Sequence, residues 1–174
     1  YLEPGLDRYW VPSLPESYLF GTKISSLHLP VRPGGDIALA SLTLKRLIEL
    51  DLVDRAFIDA HTSGFSDFAD HVDSLNTERL LEECGLEAPQ VERFVHLLGR
   101  ANRGILIWSM GITQHAFGAD GVRAIVNLAL ARGFVGRDGC GLMPIRGHSG
   151  VQGGAEMGAY ATALPGQLPH TVEH

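Results

Sequence analysis

The sequence predicts an α/β domain of three layers, with a small, mostly parallel sheet flanked by helices and a long glycine-rich loop toward the C-terminus. Three observations predict it. Apolar residues recur at helical spacing through residues 36–98. A continuous apolar run at residues 104–110 (GILIWSM) then leads through a glycine-containing turn into a further helical pattern. Two thirds of the 21 glycines lie beyond residue 100.

Taken in order, residues 1–26 read as an extended segment broken by Pro4, Pro12 and Pro15. Residues 27–31 (LHLPV) alternate apolar and polar, a short strand that Pro30 confines to a sheet edge or a strand end. Pro33-Gly34-Gly35 breaks that pattern, and Asp36 stands where an N-cap belongs. Ile37, Leu39, Leu42, Leu44, Leu47 and Ile48 follow at helical spacing, which predicts a helix over 36–50. Further helices are expected over 53–61, 65–72, 77–84 with Gly85 as its stop, and 90–98 with Pro89 in the first turn. His61, His71 and His96 lie in this helical layer without spaced partners and read as ordinary histidines.

The second half changes character. An apolar run without alternation, as at 104–110, is expected of a buried parallel strand. The turn ITQHAFGAD (112–120) and a helix over 120–132, closed by Gly133, follow it. Strand, turn and helix in that order make half of a doubly wound, Rossmann-like unit, in which ligands sit at the carboxyl ends of strands. Residues 27–133 are thus expected to form the α/β domain and 134–170 a glycine-rich loop. Residues 171–174 are set aside as a tag remnant. Glycines that let backbone approach a bulky ligand account for the loop better than disorder does, because apolar side chains are interspersed and charge is low.

Composition narrows the function. The formal net charge is −6, and the acidic side chains concentrate in the first hundred residues. Nucleic acid is therefore disfavoured as a partner, since phosphate backbones require a dense basic face. No run is long and apolar enough for a membrane span, so no membrane is expected. Cys84 and Cys140, far apart and in unlike contexts, form neither a disulfide framework nor a ligand cluster, and they fit a reducing, cytoplasmic setting. The phosphate-loop patterns G-x-x-x-x-G-K-[ST] and G-x-G-x-x-G are both absent from the sequence.

Three segments carry chemistry. VRPGGDIAL (31–39) offers helix N-terminal amides to an anion. WSMGITQH (108–115) sets backbone and amide groups after a strand, where they can read a heterocycle. PIRGHSGVQGG (144–154) surrounds a permanently charged guanidinium, Arg146, with glycines and the polar pair His148 and Ser149. Each alone is weak: Gly-Gly-Asp more often marks a turn plus a cap, and a lone arginine in a glycine loop is as often plain surface.

Together and in this order, the three segments resemble the molybdopterin-dependent oxidoreductases, in the branch that contains the formate dehydrogenase alpha subunits. The similarity runs over residues 5–166, through GTKISSLHLPVRPGGDIAL, SMGITQHAFGADGVRAIVNLALARGFVGRDGCGLMPIRGHSGVQGG and AEMGAY. The resemblance implies a large parent enzyme carrying two molybdopterin guanine dinucleotides on molybdenum or tungsten. An iron–sulfur cluster and the cysteine or selenocysteine that ligates the metal are expected N-terminal to Tyr1. This chain is then the piece that grips one pterin dinucleotide, expected to hold none in isolation, with the parent's remaining domains as its partners. Carried over, Arg146 orients a formate-like anion and His148 stands beside it as the second catalytic residue. Met110, Gly111, Ile112, Thr113 and Gln114 are expected to touch the cofactor at the strand end. Gly147, Ser149 and Gly150 are expected near the pterin, and Gly35 and Asp36 near the nucleotide. Close formate dehydrogenases have an amide side chain where this sequence has His148, a departure that bears on the substrate. Cys140 precedes the arginine loop and reads as a small buried thiol. Two other readings compete: a non-catalytic nucleotide-binding or assembly module, and a related oxidoreductase with a different small substrate.

Overall fold

The computed structural model describes residues 8–158, 163–164 and 168–169. Residues 1–7 of the expected N-terminal segment and the proposed tag at 171–174 lie outside them. The rest of that segment is a hairpin rather than plain extended chain. Strand β1 (Arg8–Tyr9) pairs antiparallel with β2 (Thr22–Lys23), and helix α1 (Pro15–Phe20) fills the connection. Pro15 supplies a pre-set φ at the helix start and Glu16 an acidic first turn. The buried Ser17 hydroxyl accepts from Val11 N–H (2.8 Å) and donates to the Tyr9 carbonyl (3.0 Å), which closes the unit.

Residues 27–31 form no strand. Their neighbours are helices, so Arg32 N–H finds a carbonyl at the end of a helix, that of Cys84 (2.9 Å), where a strand would find a ladder. Next come α2 (Asp36–Glu49), α3 (Arg55–His61), α4 (Phe65–Ser74), α5 (Thr77–Cys84) and α6 (Ala88–Arg100). They agree with the helical spacing to within a few residues. Asp36 is the first helical residue and not the cap, because Gly35 takes that place. Asp54 caps α3 by accepting from Phe57 N–H (3.0 Å), and Asn76 caps α5 by accepting from Arg79 N–H (2.9 Å).

Helix α2 is the centre of the molecule. Ala38, Ala40, Leu42, Thr43, Leu44 and Leu47 are buried on several of its faces, as expected of a helix surrounded by others. It packs against α4, α5, α6 and α8 (Gly118–Ala131). Before α8 come β3 (Ile105–Trp108) and the single turn α7 (Met110–Thr113). After α8, β4 (Gly141–Pro144) returns parallel to β3, with Ile105 opposite Gly141 and Trp108 opposite Pro144. One face of the pair carries Leu106 against the helical core, while Ile105 and Ile107 stay 52% and 55% exposed. The expectation of a fully buried strand is corrected here: with two strands and helices on one side, half of an apolar run remains uncovered.

The tail also holds more structure than expected. β4 and helix α9 (Val151–Glu156) occupy part of it, and β5 (Ala163–Leu164) pairs antiparallel with β6 (Leu168–Pro169). Arg132, at the end of α8, donates to the carbonyls of Leu52, Gly99 (2.9 Å) and Ala101 (3.0 Å), and so ties three chain segments together. Burial pushes its guanidinium pKa down, which the Asp54 carboxylate opposes and Arg137 reinforces. Among the described residues no helix is long and apolar enough to cross a membrane.

Candidate functional site

Because β3 and β4 run parallel, the segments that follow them leave from the same end of the pair. Ile145 N–H, one residue beyond β4, donates to the carbonyl of Trp108, the last residue of β3 (2.7 Å), and the Ser109 hydroxyl, one residue beyond β3, donates to the Ile145 carbonyl (2.8 Å). A Cβ on Gly147 would lie 2.8 Å from both the sulfur and the terminal methyl of Met110. The strand-end turn and the arginine loop therefore touch. This end of a parallel sheet is where α/β folds place ligands.

The turn also faces the first segment. A cleft of about 130 Å³ lies between them, lined by Gly34, Asp36, Ile37, Ile112, His115 and Phe117 among others. The N-termini of α2 and α8 are here, and neither is capped by a side chain. Orphan amides at two helix starts favour an anion, while the Asp36 carboxylate is an acceptor that suits an N–H donor edge. The turn over residues 109–117 is thus the middle piece, facing the glycine-aspartate segment across this cleft on one side and touching the arginine loop on the other.

Individual residues differ in role. Arg146, Gly147, His148, Ser149 and Gly150 are all exposed. Among the described residues the Arg146 guanidinium makes no hydrogen bond or ion pair, so its charge faces outward. The His148 carbonyl accepts from Val151 N–H (3.3 Å) at the start of α9, whose N-cap is Gly150. Gly111 is exposed with no atom within 4 Å of where a Cβ would stand. Ile112 is partly buried against Gly121, where a Cβ would lie 3.2 Å from its methyl. Gln114 closes α7 and its amide approaches the Met110 sulfur (3.7 Å), and Thr113 is exposed beside Gly118. Gly35 is buried, and a Cβ there would lie 2.7 Å from the Cys84 Cα and the Glu83 carbonyl. Close packing of α2 on α5 thus already requires glycine at 35. Cys140 is partly buried, not fully as the sequence led us to expect.

Sequence reasoning passed over Ser109. A serine between a strand and a helical turn carries no signal beyond its capping propensity, and its partner is 36 residues away.

No family model matches the chain. Curated proteins do. The chain is 33% identical, over 83% of its length, to the F420-dependent formate dehydrogenase subunit alpha of Methanocaldococcus jannaschii. It is 36% identical over 90% of its length to the protein YdeP of Escherichia coli, and 32% identical over 91% to the uncharacterized oxidoreductase Rv2900c of Mycobacterium tuberculosis. It covers about a fifth of each, 21%, 22% and 21%. Over most of its length the chain is thus similar to oxidoreductases. More narrowly, it is similar to about one fifth of the formate dehydrogenase alpha subunits it matches.

Proposed function

We propose that the chain is the part of a formate-dehydrogenase-like, molybdopterin guanine dinucleotide-dependent oxidoreductase that cradles one pterin dinucleotide. The observation that carries this reading is the contact between the strand-end turn and the arginine loop at the carboxyl end of the parallel pair. The residues present suit such a group. Gly111, Gly150, Gly153 and Gly154 have open space where a side chain would be, leaving backbone accessible to a flat, bulky ligand. The uncapped starts of α2 and α8 suit a diphosphate, and Asp36 suits the N–H edge of guanine. On this reading Met110 to Gln114 hold the pterin from the strand end and Gly147, Ser149 and Gly150 from the loop, while Gly35 shapes the start of the nucleotide cleft. Further strands of the parent chain would extend β3 and β4 into the middle of a three-layer, Rossmann-like sheet. The parent's remaining domains are then the partners, with the metal ligand and the iron–sulfur cluster upstream, in a cytoplasmic enzyme.

When bound, the molybdenum or tungsten centre takes up the two electrons released as formate becomes carbon dioxide and a proton. The chain's own task is to bind and orient. Arg146 receives the carboxylate, because a guanidinium matches its two oxygens bidentately and never deprotonates. His148, two residues on, accepts or passes the proton, since an imidazole has one ring nitrogen to take a proton and another to give one. Arg146→Ala in the full-length parent is expected to raise the formate KM at least about tenfold, the least that losing a charge-assisted contact causes. Wild-type formate kinetics in that variant would remove Arg146 from the site.

A second reading has the same cofactor and a different small substrate. It is favoured by His148 and by 36% identity to YdeP, whose name carries no substrate. Assaying the parent with formate and with other small anions separates the two.

A further inference from the structure

We propose that Ser109 is a positioning residue that aims Arg146 at the substrate carboxylate, an inference that rests on the reading of Arg146 above. Ser109 occupies the N-cap position of α7 in extended backbone, where serine ordinarily accepts from a helix amide. It makes no such bond. Its hydroxyl donates instead to the carbonyl of Ile145, the residue immediately before Arg146. Ile145 is thereby held at both backbone groups, because its N–H donates to Trp108. On the other side of Arg146, Gly147 lies against the Met110 thioether. The arginine's backbone is anchored on the residue before it and packs beside Met110 on the residue after it, while its guanidinium has no partner among the described residues. Such an arrangement suits a side chain kept in place for a ligand, because a preset backbone lowers the entropy lost when the guanidinium engages two oxygens. Nothing in the Ser109 side chain needs to touch the substrate. It acts through the peptide that carries Arg146.

The experiment is a double-mutant cycle in the full-length holoenzyme, reading both KM and the calorimetric Kd for formate. Ser109→Ala is expected to raise both about three- to tenfold, the range one tethering hydrogen bond contributes, with kcat changed about twofold at most. Ser109→Thr keeps the hydroxyl and is expected to stay near wild type. In an Arg146→Ala background, Ser109→Ala is expected to weaken formate no further, because the residue it positions is gone. Unchanged formate affinity in Ser109→Ala overturns the inference, and so does an equal loss in both backgrounds, which indicates a general structural role. If Arg146→Ala alone binds formate like wild type, the failure lies in the assignment of Arg146. A weakened Arg146→Ala beside an unaffected Ser109→Ala places the failure in Ser109 alone. Should Ser109→Ala unfold, Ser109→Cys makes the same comparison with a weak donor of similar shape.

Discussion

Replacing Gly118 with alanine tests how tightly the site turn is built. Gly118 is the first residue of α8 and is buried against α7. A Cβ there would press on the Thr113 carbonyl oxygen and stand 2.8 Å from the Thr113 carbonyl carbon and 3.0 Å from its Cα. Ordinary carbon–carbon contact is about 3.5–4.0 Å, so α7 and α8 must part by roughly 0.5–1 Å. Every atom in the way is backbone, so no rotamer change relieves the clash. Overpacking of this kind costs about 1–3 kcal/mol. Against it stands the usual gain of about 1 kcal/mol from alanine over glycine in a helix, weaker in the first turn. The net expectation is a loss of about 1–2 kcal/mol, near 2–8 °C in Tm for a chain of this size. Urea unfolding followed by far-ultraviolet circular dichroism measures it. An alanine variant as stable as wild type, or more so, would refute the close approach of α7 and α8.

Gly111→Ala is the opposite case, since nothing stands within 4 Å of the added methyl. It should leave stability within about 0.5 kcal/mol, while lowering the pterin content of the purified full-length enzyme. Arg132→Met keeps much of the stem but strips donors from the Leu52, Gly99 and Ala101 carbonyls, for an expected loss of about 2–4 kcal/mol by urea unfolding. Lysine at 132 should recover little, because one ammonium does not span three segments as a planar fork does. Asp54→Ala removes the α3 cap and the ion pair with Arg137 (3.0 Å), and about 1–2 kcal/mol is expected, with Asp54→Asn restoring the cap's share.

What the sequence revealed followed periodicity and length. The helices from α2 to α6 were legible because their apolar spacing repeats over several turns, and α8 because Gly133 stops it. Short pieces were not. Pro15-Glu16 is a helix-start signal, but six residues of α1 are too few to show a period. Residues 27–31 alternate as a strand does, yet their neighbours turned out to be helices. β4 was hidden because four residues within a glycine-rich stretch resemble loop until β3 is there to pair with them. The apolar run at 104–110 was read as a parallel strand, which its 105–108 portion is, but its burial depends on how many layers cover it, which no local pattern encodes. The site was legible as three segments. Their contacts were not, since Ser109 to Ile145 and Met110 to Gly147 join residues more than thirty apart.

Hydrogen exchange on the full-length enzyme, with and without its pterin cofactor, tests most directly whether the strand-end turn and the arginine loop are two walls of one pocket. Loading the cofactor is predicted to slow exchange at residues 110–114 and at 147–150 together. Protection confined to one stretch, or absent from both, would contradict the shared pocket and the assignment of this chain as a pterin cradle.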